Sequence, residues 1–194
     1  RGLGDVYKRQ ALRRLDYERI PQAAMLSAAI FIASLITVPL GPSSAHLLLS
    51  GLMGVVLGWA AVPAILVALL LQAAFFGYGG LLVLGVNTLN LALPALACAA
   101  LFGPRLASGE LPHPFRLGAL AGGLGVVLSA LMVSASLALS QEAFLPASKV
   151  ILLTYLPLAL VESAVTGAVI AFVWRVAPEL LQPGYGQIGE QVHG

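Results

Sequence analysis

Gly41-Pro42-Ser43-Ser44-Ala45-His46-Leu47-Leu48-Leu49-Ser50-Gly51 is the only place in the chain where a histidine enters a long apolar segment. A Gly-Pro turn and two serines precede the imidazole, and leucines and small residues come after it. An imidazole in such surroundings costs free energy unless it is hydrogen-bonded or coordinates something. The apolar character spreads outward from this stretch over the whole sequence. Of 194 residues, 59% are hydrophobic and 9% charged, and the mean hydropathy is +0.96. A soluble domain carries about 25% charged residues, so this chain cannot cover a water-facing surface and reads as an integral membrane protein. The apolar runs are continuous and rich in Leu and Ala. They lack the alternation a membrane barrel needs, so the spans are helices. A net charge of +2 does not suggest nucleic acid as a partner. Cys98 is the single cysteine, which excludes an internal disulfide and any CxxC metal or redox motif.

The fold class expected is all-α, a polytopic bundle of about six transmembrane helices. Residues 1–10, Arg-Gly-Leu-Gly-Asp-Val-Tyr-Lys-Arg-Gln, do not begin with Met and differ in character from the rest of the chain, so they read as a non-native segment. Residues 11–20 are basic, with Arg13, Arg14 and Arg19. The first apolar run comes after them and is too long for the core of a signal peptide. Helices are expected over about 21–39, 44–57, 60–76, 87–102, 117–140 and 148–176. They make one transmembrane domain over 11–181, with a polar tail over 182–194. Leu40-Gly41-Pro42 ends the first helix, because proline cannot continue the hydrogen-bond ladder. Ser43 or Ser44 is placed to cap the second, with His46 near that helix's N-terminus. Gly51, Gly54 and Gly58, and later Gly122, Gly123 and Gly125, are spaced for close backbone approach. Trp59 suits an interfacial anchor. The run from Gly77 to Asn87 is apolar but broken by glycines, and such backbone survives at membrane depth only where protein or a wet cavity satisfies it.

Positive charges orient the bundle. With residues 11–20 in the cytoplasm, six helices return the C-terminus there. Arg105, Arg116 and Arg175 then fall inside and only Lys149 outside, the expected asymmetry. The turns at 41–46 and 77–87 both fall on the outer side, where they can meet.

Few residues offer chemistry. His46 is either a satisfied histidine donating to a carbonyl at a helix junction, or a ligand suited to nickel, cobalt, copper or zinc. One imidazole makes half a metal site at most. His113 is expected in a cytoplasmic loop, His193 in the tail, and Glu142 in a separate outer loop. Asn87 and Asn90 begin the fourth helix. They read as a cap and an interhelical hydrogen bond, or as amides that support the histidine from behind. Glu162 lies in the middle of the last helix. A bare carboxylate there is costly, so pairing, protonation or hydrogen bonds to Ser or Thr hydroxyls are expected. Cys98 reads as a small packing residue. Ser43 or Ser44 beside His46 raises an intramembrane hydrolase, but no oxyanion motif accompanies them. There is no P-loop, so this chain does not itself hydrolyse ATP.

Two motifs, the Gly41–Gly51 stretch and Phe76-Gly77-Tyr78-Gly79-Gly80-Leu81-Leu82-Val83-Leu84-Gly85-Val86-Asn87-Thr88-Leu89-Asn90, together resemble the CbiM/NikM family. These are the substrate-specific membrane subunits of energy-coupling-factor transporters for cobalt and nickel. Val161-Glu162-Ser163-Ala164-Val165-Thr166-Gly167 and Arg175-Val176-Ala177-Pro178-Glu179-Leu180-Leu181 resemble that family's last helix and its end. The resemblance covers about residues 11–181. It implies a prokaryotic plasma-membrane protein that captures Co(II) or Ni(II) from outside as transported substrate, with no organic cofactor. It implies nitrogen ligands: a free N-terminal amine, the amide and side chain of a His after the initiator Met, and the His of the Ser-Ser-x-His motif, which is His46. Ser43, Ser44, Asn87 and Asn90 would support them. All-nitrogen ligation favours square-planar geometry and the metals that adopt it. The implied partners are a transmembrane coupling subunit, two ATPase subunits and a small accessory membrane protein. The family's Met-His start and first helix are not found in this sequence, so the expected bundle lacks that helix. A substrate subunit of the same transporter class for an organic micronutrient is the alternative, with the intramembrane hydrolase a third reading.

Overall fold

The computed structural model describes residues 37–40, 43–76, 80–108, 112–176 and 178–181, with isolated helical positions at Pro21, Ala24, Met25, Ala28 and Ile32. The expected non-native start and polar tail lie outside the described residues. So do residues 77–79 of the glycine-rich run.

The stretch around His46 is not the start of a helix. It is a β-hairpin of β1 (Thr37–Leu40) and β2 (Ser43–His46), antiparallel, with Thr37 opposite His46 and Leu40 opposite Ser43. The helix expected over 21–39 therefore ends before Thr37, and the one expected from 44 begins later. Local chemistry explains both corrections. Thr37 and Val38 are β-branched. Pro39 and Pro42 hold the residues before them out of the helical region and give no N–H to a helix. Ser43 and Ser44 sit within β2, so neither caps a helix.

Five α-helices come after the hairpin: α1 (Ser50–Leu57), α2 (Ala61–Phe76), α3 (Leu84–Ala107), α4 (Pro114–Ser140) and α5 (Leu145–Val176). Short 3-10 turns precede α2 and α5, and another succeeds α5. The described fold is thus helical apart from the hairpin. By length and composition, 50–76, Leu84–Leu106, Pro114–Ser140 and Leu145–Val176 are each apolar enough to cross a membrane. α3 runs further than expected at its C-terminal end, through Pro94 and Pro104; membrane helices tolerate proline where neighbours re-satisfy the freed groups.

The stretch 50–76 is not one rod. Leu47 and Leu48 border the same small cavity as Ala68, Gln72 and Leu91. A straight helix would hold Leu48 and Gln72 about 36 Å apart at 1.5 Å per residue. The chain therefore doubles back between α1 and α2, at Gly58, whose φ of 56° suits glycine. α1 and α2 remain two separate elements, as expected, and α1 is a half-length helix descending beside α3.

Small residues let the backbones touch. A Cβ on Gly54 would stand 1.9 Å from the Ala95 carbonyl oxygen, and one on Gly51 2.1 Å from that of Ala121. On α4, Gly118 and Gly122 lie against α5 at Thr166 and Glu162 in the same way. The α5 side of this contact is a four-residue ridge, Leu158, Glu162, Thr166 and Ile170, all fully buried. The opposite face of α5 carries Leu153, Leu156 and Leu160, exposed to the surroundings, as a lipid-facing helix requires. Gly118 beside Ile170 and Asn90 bonded to Ser136 fix the ends of the bundle. The last turns of α3 and α5 and the first of α4 share one end, with Arg105, Arg175 and Arg116 on them. Asn90, Leu91 and the hairpin side of α1 lie toward the other.

Candidate functional site

The site is built around the exit from β2. His46 closes the strand, and Leu47, Leu48 and Leu49 continue in neither strand nor helix, all three buried. Backbone without a regular ladder must find other partners at membrane depth. For Leu48 and Leu49 those partners come from the far end of the sequence. The Leu48 N–H donates to Glu162 Oε1. The Leu49 N–H donates to both carboxylate oxygens, at 3.0 Å to Oε1 and 2.9 Å to Oε2. Leu49 is the N-cap of α1, with no side-chain cap of its own and a left-handed φ of 51°. Its carbonyl accepts from Met53 N–H at 2.9 Å to start the helix. A carboxylate thus sits where a helix N-terminus presents free donors and positive potential. Glu162 is 0% exposed, and both of its oxygens are met by peptide N–H groups.

Expectation and structure differ on Glu162. Pairing, protonation or hydroxyl hydrogen bonds are the expectations from sequence; the hydrogen-bond partners found are main-chain N–H groups, not hydroxyls. Thr166, one turn further along α5, is fully buried, and its hydroxyl has no partner among the described residues. The signal available in the sequence was double: a carboxylate inside an apolar helix, and a helix start at Leu-Leu-Leu-Ser with no capping side chain.

The asparagines divide. α3 begins at Leu84 with Val83 as N-cap and no side-chain cap bond, so Asn87 is not the cap; its N–H donates to the Val83 carbonyl at 2.9 Å. Asn90 is buried and its Oδ1 accepts from the Ser136 hydroxyl on α4 at 2.9 Å. Cys98 is buried, and its thiol donates to the Ala121 carbonyl at 3.4 Å, a packing contact. His113 is the exposed N-cap of α4. Some 23 residues of that helix separate it from Ser136, about 35 Å, so it lies at the end away from Asn90. Among the described residues no three His, Cys, Asp or Glu come together as a metal site. The structure therefore brings His46, by backbone, close to Glu162 and to the Leu91 end of α3, and keeps His113 apart.

Comparison with known proteins decides the family. Residues 6–180 match the model of CbiM, the cobalt uptake substrate-specific transmembrane region. The chain belongs to the CbiM family. A relative in Haemophilus influenzae, a putative metal transport protein, is 39% identical over 172 residues, covering 88% of this chain and 84% of that one. The fused nickel transport protein NikMN of Rhodobacter capsulatus is 33% identical over 198 residues, covering 92% of this chain, and this chain spans 57% of it. A crystal structure described as a transition metal transporter superposes with a TM-score of 0.72, covering 98% of this chain and 89% of that one, at 24% identity; that likeness concerns the fold. Membership of the CbiM family makes this a multi-pass transport component and not an enzyme, which sets the hydrolase reading aside.

Proposed function

We propose that this CbiM-family chain is the metal-capturing subunit of an ATP-driven, energy-coupling-factor importer of cobalt or nickel, with His46 as a ligand of the transported ion. The observation that carries the reading is the ordered exit from β2: a histidine in the family's Ser-Ser-x-His motif stands at the end of a strand whose continuation is anchored inside the bundle. A ligand must be held to within a fraction of an ångström to be useful, and a hairpin so fastened can do that. The remaining donors are those the resemblance implies, an N-terminal amine and the histidine of a Met-His start. Ser43, Ser44, Asn87 and Asn90 act as supports rather than ligands, Asn90 only indirectly, by tying α3 to α4 through Ser136. A transmembrane coupling subunit, two ATPase subunits and a small accessory membrane protein would complete the transporter in a prokaryotic plasma membrane. Cytoplasmic placement of the C-terminus is supported by Arg105, Arg116 and Arg175, which share one end of the bundle.

The test is Ni(II) binding by the complete natural chain and by its His46→Ala variant, measured by metal content and titration. At least a tenfold loss of affinity is expected. Equal affinity in the two would remove His46 from the site and end this reading.

A further inference from the structure

The geometry points to Glu162 as the positioning residue of the metal site: anchored in α5, its carboxylate holds the main chain two and three residues beyond His46 and so sets where the histidine stands. This rests on the proposed role of His46 as a ligand.

Four observations lead to it. The contact is long-range: it joins residues 113 and 114 positions apart in sequence. It engages both oxygens of the carboxyl group, which accept from Leu48 and Leu49. The segment it holds has no ladder of its own, and Leu49 is in the left-handed region at φ 51°. That conformation disfavours a branched side chain and persists only where surroundings impose it. Finally, the segment begins at the residue after His46. No turn or flexible linker lies between to absorb a displacement, so movement at Leu48 is passed to the end of β2. β1 also packs on α5. Both ends of the hairpin are therefore referred to the same helix, and α5 acts as the ruler against which the histidine is placed.

A capping carboxylate could instead serve stability alone, so the test needs a readout that stability does not move. Ni(II) affinity and the visible absorption spectrum of bound Ni(II), which reports ligand geometry, are measured on the complete natural chain, on Glu162→Gln and on Glu162→Asp, with His46→Ala and Ser129→Ala as controls. Ser129 bonds Ser50 at the start of α1, at 3.3 Å, without touching Glu162. The glutamine presents one acceptor where the carboxylate presents two and turns an N–H2 toward a donor. It is expected to lose about 10- to 100-fold in affinity, the range for groups that orient a ligand from behind, and to shift the Ni(II) bands. The aspartate keeps both oxygens and is expected to recover part of the affinity. Ser129→Ala is expected to bind and absorb as the natural chain does.

Glu162→Gln with unchanged affinity and spectrum, at whatever melting temperature, overturns the proposal while leaving the reading of His46 intact. Unchanged binding by His46→Ala overturns that reading instead. Should the Glu162 variants not fold, amide hydrogen exchange on the natural chain decides. The Leu48 and Leu49 amides are expected to be protected both without metal and with Ni(II); free exchange at these two positions would show that the carboxylate does not hold them.

Discussion

Two regions of this protein solve the same problem by different physics. Where α4 meets α5, and where α1 meets α3 and α4, the helices are held by shape: glycines let backbones touch, and dispersion acts over the whole contact. Where Leu47–Leu49 enters the bundle, the side chains are buried as well, but the main chain has to be satisfied separately. Leu48 and Leu49 there lie in neither strand nor helix, and one carboxylate accepts from both of their N–H groups. The first arrangement is spread over many residues. The second is concentrated in one, and a concentrated attachment is what allows one element to be placed accurately against another. The small-residue contacts make a scaffold, and the carboxylate sets the position of what the scaffold carries.

The comparison is broken most severely on the side of shape. A side chain at Gly54 would begin 1.9 Å from the Ala95 carbonyl oxygen. The obstacle is main chain and cannot rotate away. Gly54→Leu is expected to exceed the ordinary cost of overpacking, about 3 kcal/mol, and to abolish recovery of folded, monodisperse protein from membranes. Size-exclusion profiles of the extracted variant check this; a natural-like profile would mean that α1 and α3 are not in contact at this point.

Glu162→Leu sharpens the other side. Leucine has similar bulk, so the α4–α5 contact survives, but the Leu48 and Leu49 N–H groups lose their acceptors. Each orphaned donor costs about 1–3 kcal/mol, so the two together are expected to cost about 2–6 kcal/mol in denaturant titrations. The loss should appear first as exchange at α1, with α4 and α5 still protected. Uniform loosening of all five helices would show that Glu162 supports the scaffold as well.

How much of this was legible in the sequence depended on the range of the physics. Helical class, the close approach at Gly51, Gly54 and Gly122, and the grouping of Arg105, Arg116 and Arg175 at one end come from composition and local spacing, and the family motifs are visible as written. Gly58 reads from spacing as a third close-approach glycine, but a Cβ there would meet nothing within 4 Å; its φ of 56° serves the reversal after α1 instead. Ser43 and Ser44 before an apolar run look like caps, while Pro39 and Pro42 just ahead of them favour extended chain; extended chain won. Glu162 was seen as an anomaly, but its partners could not be named. They are peptide groups more than a hundred residues away, and main-chain donors leave no mark on residue type. Asn90 was legible as an interhelical bond, and only the fold shows that Ser136 provides it.

Asn90 offers the smallest and most discriminating test. Its Oδ1 takes the Ser136 hydroxyl, but the same hydroxyl also lies 2.9 Å from the Met132 carbonyl on its own helix. One hydroxyl carries one proton. When Asn90 is replaced by Ala, that proton goes wholly to Met132, and Ser136 is not left unpaired. The expected loss is therefore near the average for interhelical bonds in membranes, about 0.6 kcal/mol, read as a small shift in the denaturation midpoint. Ni(II) affinity should change by less than about threefold, since the amide ties α3 to α4 and acts on the hairpin only through them. A tenfold fall in affinity with unchanged stability would place Asn90 directly behind the metal ligand. The task of holding the site would then be shared between α3 and α5, and the contrast between a scaffold held by shape and a hairpin held by one carboxyl group would have to be redrawn with two polar anchors.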